Sequence, residues 1–183
     1  MGVFGIIGDE RTNVADSVYY GLYSLQHRGQ ESSGIVVNDD GVFTLHKNAG
    51  LVNDVFNRQT LDALGKGRMA IGHSRYGTLS TKDKANAEPI VVNHIKGRLA
   101  VATEGCLVNA QELRCELELQ GMIFHTTSDA ELISYVITKE RITSASIEEA
   151  VSKAMGKLKG GYCLLLMSPQ KIIQLSIIDY FFL

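Results

Sequence analysis

Apolar and polar positions along the chain fall into two alternating signals. Short runs rich in β-branched residues, bounded by Gly, Asn or Asp, occupy residues 3–7, 34–38, 42–47, 69–73, 90–93, 99–102, 162–167 and 171–175; this is the pattern of strands. Asn38, Asp39, Asp40 and Gly41 separate the second run from the third and predict a hairpin turn. Four other stretches repeat apolar residues at helical spacing. Val14, Val18, Tyr19, Leu22 and Leu25 follow Asn13, a candidate N-cap. Asn109 heads a second stretch, with Glu112 placed for a capping box, Leu113 and Leu117 inward and Gly121 as a stop. A third begins at Ser128, with Leu132, Ile133, Val136 and Ile137 on one face. The fourth covers 146–155, with Glu148 and Glu149 at its positive end and lysines towards its negative end.

Strands and helices do not alternate strictly, and hairpins are frequent. That order predicts layered α/β or α+β packing rather than a doubly wound parallel sheet. With no internal repeat and no linker-like stretch, residues 1–183 read as one domain, long enough to bury a substantial core. The first strand starts with no polar lead-in, although terminal residues are usually frayed. Either it completes a sheet, or the amino terminus has been placed for chemistry.

Composition narrows the function classes. The net charge of −2 gives no basic face for nucleic acid. No apolar run approaches the roughly 18 residues that cross a bilayer. The opening MGVFGIIG lacks the basic region and cleavage site of a signal peptide, so the chain reads as cytoplasmic, with no membrane partner. Cys106, Cys115 and Cys163 are an odd count without CxxC spacing, which predicts free thiols. The five histidines show no metal-ligand spacing, and no phosphate-binding glycine motif occurs, so neither a metal nor a cofactor is expected.

Chemistry concentrates in four polar clusters at predicted strand ends or helix starts: QHRGQESSGI (26–35), IGHSRYGT (71–78), ATEGCLVNA (102–110) and HTTSDAE (125–131). Taken singly, each has a structural reading: Arg75 in an ion pair, Ser128 as a cap, Gly105 as a turn. In combination they suit a free amino acid. A guanidinium forks onto an α-carboxylate, a carboxylate accepts from an α-ammonium, and a glycine-containing strand end can aim an N–H at an oxyanion.

HRGQESSGI, IGHSRYGT, LVNAQEL and TTSDAE, in this order and spacing, resemble the class II glutamine amidotransferase domain, in the form found in the amidophosphoribosyltransferase family. The resemblance covers residue 2 to about residue 175. It implies an N-terminal-nucleophile hydrolase fold: an α+β, four-layer αββα sandwich of two antiparallel sheets, here shortened at its C-terminus, with the phosphoribosyltransferase domain absent. It also implies hydrolysis of the glutamine amide to supply ammonia for phosphoribosylamine formation in purine biosynthesis, by an N-terminal cysteine whose own α-amine acts as base. By the same resemblance, Arg75 holds the glutamine carboxylate and Asp129 its ammonium. Thr78 and Ser128 line the pocket, Arg28 and Gly29 shape the wall near the nucleophile, and Gly105 gives an oxyanion amide. L-Glutamine is the implied ligand, and a homo-oligomer or a phosphoribosyltransferase chain the implied partner.

Three features depart from the family pattern. Met1 occupies the slot of the nucleophilic cysteine, and a thioether cannot form a thiolate. Glu104 occupies the slot of an oxyanion-stabilising asparagine, where a carboxylate would repel developing negative charge, and Thr103 stands where the family has histidine. Cys106 lies beside this position but has no attached α-amine to act as base. The chain then ends in an apolar SIIDYFFL in place of the family's continuing segment. The expectation is an amidotransferase domain with glutaminase activity lost or strongly impaired. The alternatives are a non-catalytic glutamine-binding or regulatory module, and a structural remnant without a ligand.

Overall fold

The computed structural model describes residues 1–76 and 84–177. Among these, eight strands form two antiparallel four-stranded sheets. β1 (Gly2–Ile7), β2 (Ser32–Asp39), β3 (Val42–Ala49) and β4 (Met69–Arg75) make the first, in the order β1-β4-β2-β3. β5 (Ile90–His94), β6 (Gly97–Leu107), β7 (Gly160–Met167) and β8 (Ile172–Ile177) make the second as a meander. Asp40 and Gly41, both at positive φ, turn the β2–β3 hairpin at the place the sequence predicts.

The helices cover the outer faces. α1 (Val14–Ser24) lays Val14, Val18 and Leu22 on the first sheet, and the Asn13 side chain caps it by accepting from the Asp16 N–H. Two short helices, α2 (Val52–Val55) and α3 (Arg58–Ala63), pack on the same layer through Val52, Val55 and Leu61. α4 (Ala110–Leu119), α5 (Asp129–Thr143) and α6 (Ile147–Met155) cover the second sheet, with Leu132, Ile133 and Ile137 fully buried. Between the sheets lie Val36, Ile71, Ala100, Ala102, Leu165 and Met167. The result is an α+β, four-layer αββα sandwich, as the resemblance implies.

Two local expectations are corrected. Asn109 precedes α4 but makes no side-chain cap; its amide instead bridges the Lys157 carbonyl (2.9 Å) and the Lys159 N–H (3.0 Å), satisfying both its donor and its acceptor on the segment leading into β7. β6 does not stop near Ala102 but continues through Thr103, Glu104, Gly105 and Cys106 to Leu107, paired throughout with β7. Glu104 and Gly105 therefore lie within a strand.

Candidate amidotransferase site

The site is assembled from ends of both layers. β1 and β4 pair with Gly2 opposite Ser74, which brings the amino terminus to the end of β4 that carries Arg75. The chain leaves α1 through a single 3-10 turn, Gln26–Arg28, and the Met1 ammonium donates to the Arg28 carbonyl at 2.7 Å. Gly29 follows, packed so closely that an added β-carbon would lie 2.4 Å from the Ser74 carbonyl oxygen.

Arg75 is half-buried. Its guanidinium donates to the Asn86 carbonyl (2.7 Å), and its Nε lies 3.8 Å from Glu31, so it is anchored along one edge. Asn86 in turn holds the Thr127 backbone N–H (2.9 Å) and hydroxyl (2.8 Å), which ties the end of β4 to the start of α5. At that start, Asp129 Oδ2 accepts from the Leu107 N–H at 2.9 Å. Burial pushes the Asp129 pKa above its ordinary value, and the charge of Glu88 adds to this, while the Leu107 N–H and the charges of Arg114 and Arg75 oppose it. Arg75 and Asp129 thus share one electrostatic environment although they come from different layers.

Ser128 is buried, and its hydroxyl is committed: it accepts from the Ala130 N–H as the α5 cap and donates to Glu88 at 2.7 Å. Thr78 lies outside the described residues. Gly105 sits in β6 at φ +105°, with the Gly161 carbonyl where a β-carbon would project. Glu104 forms an ion pair with Arg28, linking β6 of the second sheet to the turn after α1. Its carboxylate therefore does not face the site as an unpaired charge, which alters the expected picture of simple repulsion. Cys163 stands opposite Glu104 in the register, and burial together with the Glu104 charge raises its pKa. Cys106 and Cys115 are exposed free thiols.

The sequence reading missed the group that organises this region. Glu88, almost fully buried, accepts the Thr103 N–H (2.6 Å) and the hydroxyls of Thr103 (3.2 Å) and Ser128 (2.7 Å). His73, wholly buried, lies 3.9 Å from it; burial lowers the His73 pKa, and the charges of the amino terminus and Arg75 add to this while the Glu88 charge opposes it. A carboxylate directly before a proline, at the head of the apolar run that forms β5, was the available signal. Among the described residues no group of three or more His, Cys, Asp or Glu could hold a metal ion, and no helix is long and apolar enough to cross a membrane.

Residues 73–178 match the model of the glutamine amidotransferase domain. The chain belongs to the glutamine amidotransferase domain family. It is 44% identical over 172 residues to the amidophosphoribosyltransferase of Methanocaldococcus jannaschii, covering 94% of this chain and 36% of that protein. The solved structure of the allosteric regulatory enzyme of purine biosynthesis superposes on the amidotransferase domain with a TM-score of 0.88 at 40% identity, over 96% of this chain and 37% of that one. Glutamine phosphoribosylpyrophosphate amidotransferase from Bacillus subtilis, solved with ADP and GMP, gives a TM-score of 0.85 at 40% identity over the same shares. The chain therefore spans little more than a third of the length of these relatives.

Proposed function

We propose that this domain binds L-glutamine between Arg75 and Asp129, as the amidotransferase unit of an amidophosphoribosyltransferase-like protein, and that it hydrolyses the amide poorly or not at all. The observation that carries the reading is the convergence of the Met1 amine, Arg75 and Asp129 at one end of the sandwich. Among the described residues, Arg75 keeps N–H groups for an α-carboxylate, which it matches as a planar fork. Asp129, ionised, accepts from an α-ammonium. The glutamine amide then points towards Met1, Glu104 and Gly105.

In a working enzyme of this type, the residue before Gly2 supplies the attacking thiol and its α-amine takes up the proton. The Met1 amine is already fixed on the Arg28 carbonyl, so the base has its place. The thioether beside it carries no proton and forms no thiolate. Replacing an oxyanion donor costs about 2.7–4 kcal/mol of transition-state stabilisation, and the Glu104 slot offers an acceptor where a donor is needed. No cofactor enters this chemistry. The parent reaction, in which ammonia forms phosphoribosylamine for purine biosynthesis, belongs in this reading to a phosphoribosyltransferase partner or a homo-oligomer in the cytoplasm.

Calorimetric titration with glutamine, run beside an ammonia-release assay, tests this. Binding without ammonia release is the expected result. The pair Met1→Cys (initiator methionine removed) and Glu104→Asn should gain ammonia release. Robust release from protein that retains Met1 would overturn the loss of activity. Absence of glutamine binding would leave the fold as a remnant without this ligand.

A further inference from the structure

At the far end of β6 from the candidate site, the β5–β6 turn, the β7–β8 turn and the end of α5 enclose a small pocket. Arg98 there and Leu107 beside Asp129 stand about 30 Å apart at strand spacing. The pocket wall carries His94, Lys96, Arg98 and Arg141, and among the described residues no carboxylate lines it. The neighbouring carboxylates are engaged elsewhere, Glu140 with Lys157 and Glu148 with Lys171. Ile147, the first residue of α6, also lines the pocket, so the positive end of that helix lies against it.

Lys96 has a structural role that accounts for it. Its Nζ donates to the carbonyls of Arg141 (2.9 Å), Ile142 (3.1 Å) and Ser144 (3.2 Å), which commits all its N–H groups to the C-terminal end of α5. The two arginines are less engaged. Arg141 donates to the Ser144 carbonyl (2.9 Å), and Arg98 reaches the Phe43 carbonyl at only 3.5 Å. Among the described residues their other N–H groups have no partner, and neither guanidinium pairs with a carboxylate. His94 adds an orphan donor. Its Nδ1 accepts from the Lys96 backbone N–H (3.2 Å), which places the neutral ring's proton on Nε2. Nε2 is buried and, among the described residues, has no hydrogen-bond partner, a costly state for a donor. Burial lowers the His94 pKa, and the charges of Arg141 and Lys96 push it the same way, so the ring sits in a cationic field.

We infer that this pocket binds a phosphate group through the uncommitted N–H groups of Arg98 and Arg141, with His94 Nε2–H as a further donor in its wall. Guanidinium groups match phosphate oxygens as planar forks. Cations without carboxylate partners make the pocket attractive to an anion although the chain as a whole carries a net charge of −2. Size narrows the ligand further. The enclosed space is about 50 Å³, room for about four water-sized groups. A phosphate is of that size, whereas a nucleoside is far too large to enter whole. The ligand is therefore the free ion or the phosphate end of a monoester whose remainder stays outside. The site is separate from the glutamine pocket and does not depend on it.

Titration of the full chain with inorganic phosphate provides the test, at neutral pH and an ionic strength held at about 0.1 M with sodium chloride. Calorimetry gives the affinity, and the ring resonances of His94, assigned with His94→Gln, report the place. Phosphate should bind saturably and shift those resonances, and nitrate at equal concentration should not. Arg98→Gln should weaken phosphate by at least about tenfold. Arg98 is exposed, so the variant keeps its fold, which circular dichroism checks. Lys66→Gln, at an exposed cation elsewhere, should leave the affinity unchanged. Glycerol 3-phosphate separates the two sources: affinity equal to that of phosphate assigns the pocket to a monoester, and binding of inorganic phosphate alone assigns it to the free ion. A His94 response that is unsaturable and equal for phosphate and nitrate would overturn the site. So would wild-type affinity in Arg98→Gln, or equal weakening by Lys66→Gln.

Discussion

Removing the Glu88 carboxylate should be among the most damaging single changes available in this domain. In Glu88→Ala, the Thr103 N–H, the Thr103 hydroxyl and the Ser128 hydroxyl lose the acceptor they share in a buried environment. A buried donor left unsatisfied costs about 1–3 kcal/mol, and the Thr103 N–H cannot turn away because it belongs to β6. With hydroxyl rotation relieving part of the remainder, the total comes to about 3–5 kcal/mol, the range for breaking a buried charged network. Total domain stability is typically about 5–15 kcal/mol, so a large fraction would be lost. Urea unfolding followed by far-UV circular dichroism should show the midpoint falling by roughly 1 M or more, with the slope unchanged. Ser128→Ala removes one of these bonds and the α5 cap, and should cost about 1–2 kcal/mol. The double variant should cost less than the sum, because both act on one network. A midpoint shift below about 0.5 M for Glu88→Ala would refute the reasoning, since it would mean that the buried donors find other partners.

Further outcomes follow from the titrating groups and the packing. Asp129 must be ionised to hold an ammonium, and its folded pKa is raised, so glutamine affinity should begin to fall on acidification at a higher pH than an ordinary aspartate would dictate; titrations from pH 7 downwards would show this. His73 has a folded pKa below its unfolded value of about 6.5, so its contribution to stability is complete above that value and is lost as pH falls from there through the folded pKa. His73→Gln should accordingly flatten the pH dependence of the urea midpoint in that window. Gly29→Ala places a carbon 2.4 Å from the Ser74 carbonyl, a backbone contact that cannot move cheaply, and should cost about 1–3 kcal/mol by thermal or urea unfolding.

Much of this architecture was legible because it is periodic. All eight strand runs, and the helices after Asn13, Asn109, Ser128 and Ser146, carry their period in the sequence. α2 and α3, of four and six residues, are too short to show one, and they hold their place by burying Val52, Val55 and Leu61. The continuation of β6 through Thr103, Glu104 and Gly105 was hidden because polar residues interrupt its apolar run while β7 supplies the pairing that sustains it. The ends of the site segments were readable as polar clusters, but their partners were not. Glu104 meets Arg28 across 76 positions of sequence and Ser128 meets Glu88 across 40, and no local pattern announces either contact.

Ala100 and Ala102 project from β6 into the layer between the sheets, against Val36, Ile71, Leu165 and Met167. Their small volume helps set how closely the two sheets approach, with Arg75 at the end of β4 on one side and Glu104 in β6 on the other. A ligand that grips both halves acts as a rivet through the sandwich, and a bulkier residue at position 100 or 102 acts as a wedge that lengthens the span it must bridge. In the proposed glutamine binder, two buried methyl groups would thus help set the gauge of the pocket from within the core.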